Sequence, residues 1–344
     1  MAAPVLVGDH VRFSFDCHDF GVLSVDLDCD RAIAGPREFD RAGDLWTLDL
    51  PLPGVHRMEY RFHLRGAEQD LLVLDPDNPQ VVGTVFGERS VLTMPGYEVP
   101  WWLTAPAVPG TFHAMHLEGE TPDPVPVTIW APEGVDDAEP LPLLLAHDGP
   151  EYDQLASLTQ YSGALIAAGV LPPHRVVLAH PVLRDAWYSG SPQYLRTISG
   201  EGLARIATAY AVSAPVVVMG ASLGGLTALL IGLLGDPSIG GVFSQSGSFF
   251  QMQTDSSEHG FRYFMRINQR VRQVLDARHT DHPLRVGMTC GGLEENAENN
   301  RQMAGALRRA GHTVTYTQVP DLHNYSAWRD ALDPCLTEVL RDLW

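Results

Sequence analysis

Three residues in this chain have the types and the order needed to attack a carbonyl carbon. The first is Ser222, at the centre of Gly220-Ala221-Ser222-Leu223-Gly224. Ala214-Pro215-Val216-Val217-Val218-Met219 precedes it, a short apolar, β-branched run that reads as a buried strand; Gly225-Leu226-Thr227-Ala228-Leu229-Leu230-Ile231 follows and reads as a helix. A serine on so tight a strand-to-helix turn has its hydroxyl pushed out of the backbone, and the flanking glycines avoid side-chain collisions in the turn. A serine hydroxyl is a weak nucleophile near neutrality, so it needs a base within hydrogen-bond reach, and the base needs an acid to orient it. Downstream, Met288-Thr289-Cys290-Gly291-Gly292-Leu293-Glu294-Glu295-Asn296 leaves one strand, and Val319-Pro320-Asp321-Leu322-His323-Asn324-Tyr325 leaves the last. Loops at the carboxyl ends of parallel strands are where catalytic groups collect. His323 is therefore the candidate base. Glu294 is the leading candidate acid, with Glu295, one step on, kept as the alternative. Glu298 suits the first turn of the following helix, and Asp321 lies too near His323 in sequence to be preferred.

Attack at a carbonyl also needs two donors for the developing oxyanion. The backbone N–H of Leu223, just after the nucleophile, is one. The other is expected from the loop His147-Asp148-Gly149-Pro150-Glu151-Tyr152. Pro150 has no N–H, which leaves Gly149 as the choice, although Asp148-Gly149-Pro150 also reads as a plain turn. The remaining histidines suggest no metal site. His113 and His116 are three apart in a strand and so face opposite sides, while His147, His174 and His180 read as structural. Trp101, Trp102 and Trp130 read as core or interface. Neither a metal nor an organic cofactor is expected.

The elements that must position these groups fall into two patterns. Up to about residue 100 the chain shows strands and turns: Val11-Arg12-Phe13-Ser14-Phe15, Trp46-Thr47-Leu48-Asp49-Leu50 and Met58-Glu59-Tyr60-Arg61-Phe62-His63-Leu64 all alternate. Alternation marks strands with one face buried, and the short spacing suggests a β-sandwich. Asp75-Pro76-Asp77-Asn78-Pro79 is a turn signal, and residues 95–102 read as a connection. From about 110 apolar strands alternate with helices. Strands are expected at 112–117 and 125–130 around a turn, then at 141–146, 175–179, 215–219, 241–244, 284–289 and 313–319. Helices are expected near 155–168, near 201–211, after Ser222 and after each of the last two strands. This is an α/β pattern: a mostly parallel sheet covered on both faces. With the order serine, acid, histidine, it reads as the α/β-hydrolase fold.

Bulk properties agree with two domains. The chain has 344 residues, 45% hydrophobic and 19% charged, enough for a sizeable core. Its net charge of −19 argues against nucleic acid and anionic membranes as partners. All 23 basic residues are arginine, which reads as coding bias. No basic segment followed by an apolar stretch opens the chain, and no run is long enough to span a membrane. Cys17, Cys29, Cys290 and Cys335 are too few and too scattered for a disulfide framework or a zinc cluster. The expected location is the cytoplasm.

Several of these segments resemble the enterochelin (siderophore) esterase-like family of α/β-hydrolases. The similarity lies in Met219-Gly220-Ala221-Ser222-Leu223-Gly224-Gly225-Leu226-Thr227-Ala228, in Gly241-Val242-Phe243-Ser244-Gln245-Ser246-Gly247-Ser248-Phe249-Phe250, in His147-Asp148-Gly149, in Glu295-Asn296 with Asn300-Arg301-Gln302-Met303, and in His323-Asn324 with Trp328. The resemblance covers roughly residues 110–344. It implies an immunoglobulin-like domain over 1–100, a linker over 101–110 and a catalytic domain over 111–344; Phe86 to Tyr97 matches the linking segment. It also implies a serine esterase acting through Ser222, Glu294 and His323 on a small-molecule ester. Arg184 and Tyr188 resemble substrate-side residues of relatives. Asp321-Leu322 stands where relatives often have two glycines before the histidine, which alters the pocket wall. The substrate so implied is a catecholate trilactone, ferric or iron-free. Feruloyl or acetyl carbohydrate esters, general acyl esters and acyl transfer are the alternatives. Arg262, Arg266 and Arg270, spaced by four, read first as an exposed charged face and second as a basic wall for that anionic substrate. The front domain is expected to act as a lid or a dimerisation element, with homodimer formation left open.

Overall fold

Alternation in the first hundred residues produces the strands it implies. The computed structural model describes residues 4–16, 21–213 and 215–344. Cys17, the first three residues and Ala214 lie outside the described residues. The chain divides into two units. One comprises Met1–Glu98 with two short segments, Gly292–Glu295 and Pro320–Asn324; the other comprises Val99–Gly291, Asn296–Val319 and Tyr325–Trp344.

The first unit is a two-sheet β-sandwich. Its strands are β1 (Val5–Val7), β2 (His10–Asp16), β3 (Val22–Cys29), β4 (Asp40–Ala42), β5 (Leu45–Pro51), β6 (Arg57–Gly66), β7 (Asp70–Val73), β8 (Val81–Thr84) and β9 (Gly87–Thr93). One sheet runs β1-β2-β5-β4; the other runs β3-β6-β9-β8, with β7 also paired to β6. Alternate residues of each sheet meet in one core: Val11, Phe13 and Phe15 of β2 and Trp46, Leu48 and Leu50 of β5 face Val25 and Leu27 of β3 and Met58, Tyr60, Phe62 and Leu64 of β6. Edge-on ring pairs, Phe13 with Tyr60 at 5.1 Å and Phe15 with Phe62 at 5.3 Å, join the sheets. The segment Phe86–Tyr97, expected to link the domains, instead supplies β9, which pairs with β6 and β8.

The second unit holds one eight-stranded sheet. Its elements in order are β10 (Gly110–Leu117), β11 (Val125–Pro132), β12 (Leu143–His147), α1 (Gly149–Ala156), α2 (Leu158–Ala167), β13 (Arg175–Ala179), α3 (Arg184–Tyr188), α4 (Pro192–Thr197), α5 (Leu203–Ala209), β14 (Val216–Ala221), α6 (Leu223–Gly232), β15 (Ile239–Gln245), α7 (Phe264–Asp276), β16 (Arg285–Gly291), α8 (Ala297–Ala310), β17 (Thr313–Val319), α9 (Tyr325–Asp330) and α10 (Thr337–Leu343). The order across the sheet is β10-β11-β13-β12-β14-β15-β16-β17. β10, β11 and β13 pair antiparallel, and the pairs from β13 through β17 are parallel. The fold is therefore the mostly parallel α/β-hydrolase architecture that the strand–helix alternation implies. The apolar runs are continuous because both faces are covered. Leu143, Leu145, Val216 and Val218 pack into one cluster, Leu144, Ala146, Val217 and Met219 into the other.

Some boundaries differ from the expectations. Residues 101–110 pack with the second unit and do not form a linker. Trp102 is fully buried in a core cluster, the Gln160 side chain donates to the carbonyls of Trp102 and Ala105, and the Val108 N–H donates to Gly163 O. The single helix expected near 155–168 is two, broken at Ser157, which takes a left-handed φ of 54°. The turn reading of Asp148-Gly149-Pro150 gives way to the start of α1. There proline suits the first turn, having no N–H to leave unpaired. Among the described residues no helix is long and apolar enough to cross a membrane.

Candidate active site

Ser222 sits between β14 and α6 with φ 56° and ψ −123°. A non-glycine residue held there is strained, and such strain persists only where the surroundings impose it. Here they do: the Ser222 N–H donates to Gln245 O at 2.9 Å, and Ser222 O accepts from Leu226 N at 3.1 Å and from Ser248 N at 3.0 Å. The glycines are required by contact. A Cβ on Gly220 would lie 2.5 Å from the Gly224 backbone, and one on Gly225 would lie 2.8 Å from Ser244 Oγ. The serine keeps part of its surface exposed, while Ala221 and Leu223 beside it are buried. Leu223 opens α6, so its N–H has no acceptor within the helix.

Ala221, Gln245, Thr289 and Thr317 stand in register across β14, β15, β16 and β17. The chain thus leaves one edge of the parallel sheet before each of Ser222, Glu294 and His323. In the unit that holds the last two, His323 Nδ1 lies 2.7 Å from Glu294 Oε2. The Glu294 side chain is 2% exposed and that of His323 33%, so the pair is only thinly screened. Burial acts to lower the His323 pKa, but the hydrogen bond and charge of Glu294, aided by Asp30 and Glu295, outweigh it and raise the pKa above the ordinary histidine value. Glu295 is exposed. Glu298 lies in the first turn of α8 and bonds Arg301 and Gln302 there.

A histidine that must be neutral to accept a proton loses that capacity below its pKa. Because this pKa is raised, the acid limb of the kcat/KM profile for an ester substrate should lie above the ordinary histidine value of 6.5. A limb at or below that value would mean that the pair observed here does not govern the rate.

Gly149, Arg184 and Tyr188 meet around Asp148. Asp148 has φ 52°, and its carboxylate takes a two-pronged bond from Arg184, 2.8 Å from Nε to Oδ1 and 2.8 Å from NH2 to Oδ2. Its N–H donates to Tyr188 Oη at 3.1 Å. A Cβ on Gly224 would lie 3.2 Å from Asp148 Oδ2, so this cluster borders the start of α6. Gly149 is the first residue of α1. It must be glycine, since a Cβ would sit 2.3 Å from Leu178 Cα; its N–H, like that of Leu223, has no acceptor within its helix. Tyr188 is fully buried and holds the Asp148 turn, which leaves it no surface to offer a substrate. Arg184 is committed to Asp148, with about a third of its side chain exposed. His147 is fully buried, 3.1 Å from Tyr194 Oη through Nδ1, and burial pushes its pKa down to about 3, so it stays neutral.

The arginines spaced by four do not form one face. Arg262 precedes α7 and lies over the Tyr263 ring. Arg266 donates to the carbonyls of Ser189 and Ala186. Arg270 makes a 3.4 Å bond to Gln273.

Two features have no sequence signal that isolates them. Ser248 Oγ lies 3.2 Å from Ser222 Oγ. It is held beside Ser222 by a buried frame: Tyr152 Oη donates to Gln245 Oε1 at 2.9 Å, Gln245 Nε2 donates to Trp328 O at 3.0 Å, and Asn300 bonds both the N–H and the C=O of Gly247. The stretch Gln245-Ser246-Gly247-Ser248 is visible in the sequence, but nothing in it says which hydroxyl faces Ser222. The other feature is the role of Asp321, which pairs with Arg57 of β6 at 2.7 Å.

Comparison with known proteins agrees with this frame. The family described as "Putative esterase" matches residues 119–339. An iron(III) enterobactin esterase of Dickeya dadantii (strain 3937) is 30% identical over 202 residues, 56% of this chain and 46% of that protein; the match thus spans about half the length of that curated relative. Among solved structures, a ferric enterobactin esterase from Salmonella typhimurium superposes with a TM-score of 0.79 at 20% identity, over 97% of this chain and 94% of that one. The enterobactin esterase of Shigella flexneri, solved in the presence of enterobactin, superposes with a TM-score of 0.78 at 20% identity, over 99% and 96%. At that identity the likeness is one of fold.

Proposed function

The chain belongs to the putative esterase family, and from that premise we propose that it is a serine esterase that opens the ester backbone of a catecholate trilactone siderophore. The observation that carries the chemistry is the 2.7 Å bond between His323 Nδ1 and Glu294 Oε2. It fixes the tautomer, so that Nε2 is the nitrogen that serves Ser222. Ser222 Oγ attacks the ester carbonyl carbon and its proton passes to His323 Nε2. The tetrahedral oxyanion is held by the N–H groups of Leu223 and Gly149. Collapse breaks the bond to the leaving alcohol, which takes the proton from His323, and the acyl group stays on Ser222. Water then attacks with His323 again as base, releasing the acid. The imidazolium formed at each step is stabilised by Glu294.

The substrate class rests on likeness. The named relatives are enterobactin esterases, and the likeness to those structures extends over the β-sandwich as well as the catalytic unit. A ferric tris-catecholate is strongly anionic, whereas this chain carries a net −19; recognition therefore depends on cations local to the site.

The test is a hydrolysis panel with product masses: trilactone siderophores with and without iron, feruloyl sugars and short aryl esters. The trilactone should lead in kcat/KM by a factor of about 100, the scale at which a shaped pocket discriminates. Intact trilactone beside rapid cleavage of feruloyl sugars would move the assignment to a carbohydrate esterase and leave the serine chemistry standing.

A further inference from the structure

We infer that the β-sandwich fixes the loop that carries His323, with Arg57 as its positioning residue. This rests on the preceding reading of His323 as the base. The segment Pro320–Asn324 groups with the sandwich and not with the sheet whose last strand leads into it. Three consecutive residues ahead of the histidine are each held there in a different way. The His56 N–H donates to Pro320 O at 2.7 Å. Arg57 NH2 donates to Asp321 Oδ2 at 2.7 Å, with the two side chains 4% and 5% exposed. Leu322, 1% exposed, packs into the same core as Phe13, Tyr60 and Phe62.

Asp321 also closes its own turn, its Oδ1 accepting from Leu322 N at 3.0 Å. Arg57 is backed by the Tyr97 ring, 5.0 Å away, and the Met94 N–H donates to His56 O at 2.9 Å, tying the end of β9 to this corner. Arg57 and Met58 are neighbours in β6 and both are buried. They face opposite sides of the sheet, so Arg57 is covered on the side away from the sandwich core, and its cover is the His323 loop. A buried ion pair is a costly way to hold a surface loop, but it is directional. The fastening stops one residue short of His323, where a shift is felt directly at the imidazole. The charged groups near that imidazole are Glu294, Glu295 and Asp30, the last just past the end of β3. The sandwich therefore sets both the position and part of the field of the base.

The test uses the full chain with Arg57→Met, Arg57→Lys and His323→Ala, scored by thermal unfolding, kcat, KM and the pH profile. Displacing a catalytic group by about 1 Å costs about 100-fold in rate. Arg57→Met should lose that much in kcat with KM little changed. Its acid limb should move down toward the ordinary histidine value as the bond to Glu294 loosens, and Arg57→Lys should recover most of the rate. A folded Arg57→Met with wild-type kcat and an unmoved acid limb overturns the inference; if His323→Ala is inactive in the same series, the reading of His323 survives. An active His323→Ala overturns that reading instead. Should Arg57→Met fail to fold, Asp321→Asn removes the charge that Arg57 pairs with while keeping the side chain's shape and is read the same way.

Discussion

Replacing Ser222 with alanine should lower kcat by ~10⁴-fold or more while leaving the unfolding temperature and substrate binding near those of the parent protein. The size follows from what is removed. Without Oγ no acyl-enzyme can form, and what remains is the oxyanion donors acting on a water-dependent reaction. Stability should hold because the strain at φ 56° belongs to the backbone, and alanine bears it as serine does. The bonds that impose it, Ser222 N to Gln245 O and Ser248 N to Ser222 O, are main-chain bonds untouched by the change. Ser248 makes the test sharper. Its hydroxyl stands 3.2 Å from Ser222 Oγ and is the nearest alternative nucleophile in this frame. Mass spectrometry of the protein during turnover should find the acyl group on Ser222 in the parent and no acyl adduct in the variant. Turnover within about tenfold of the parent would place the nucleophile elsewhere, and an adduct on Ser248 would name it.

The strand–helix alternation and the tight turn at Ser222 were readable for the same reason: both rest on local rules. Continuous apolar runs such as Val216–Met219 mark strands buried on two faces, and glycines two residues either side of a serine mark a turn that admits no side chain. The serine, acid and histidine are separated by long stretches of chain, but fold class orders them, because parallel strands deliver their carboxyl ends to one edge. What could not be read is tertiary. Nothing local marks Arg57 as buried, since the alternation of β6 becomes regular only at Met58. Asp321 reads as one more acid near the histidine until Arg57 stands opposite it. Arg184 and Tyr188 read as substrate groups by likeness, yet the first is bonded to Asp148 and the second is fully buried behind that turn. The spacing of four in Arg262, Arg266 and Arg270 implied one helix face, but α7 begins only at Phe264, so the first of them is not on it. Helix starts depend on caps, and this one has none from a side chain.

Glu294→Gln carries the second large effect, and it separates two acids that the sequence leaves side by side. The substitution keeps shape and volume in a site where the side chain is 2% exposed, so the fold should survive. It removes the charge that stabilises the imidazolium. It also lets the amide donate to Nδ1, which favours the tautomer with its proton already on Nε2, so that Nε2 can no longer accept one from Ser222. The equivalent loss of an orienting carboxylate costs about 10⁴-fold in kcat in serine proteases, and a fall of about 10³- to 10⁴-fold is expected here. The acid limb should move at the same time. The bond and charge of Glu294 are what hold the His323 pKa above its ordinary value against the opposing effect of burial. Without them the pKa drops, and whatever activity remains should persist to lower pH than in the parent. Glu295→Gln is the matched control, one residue along and exposed, and should leave kcat within about threefold. The reverse pattern, with Glu295→Gln inactive and Glu294→Gln near normal, would show that the acid is Glu295 and that the 2.7 Å bond to Glu294 serves the fold of the loop and not the reaction.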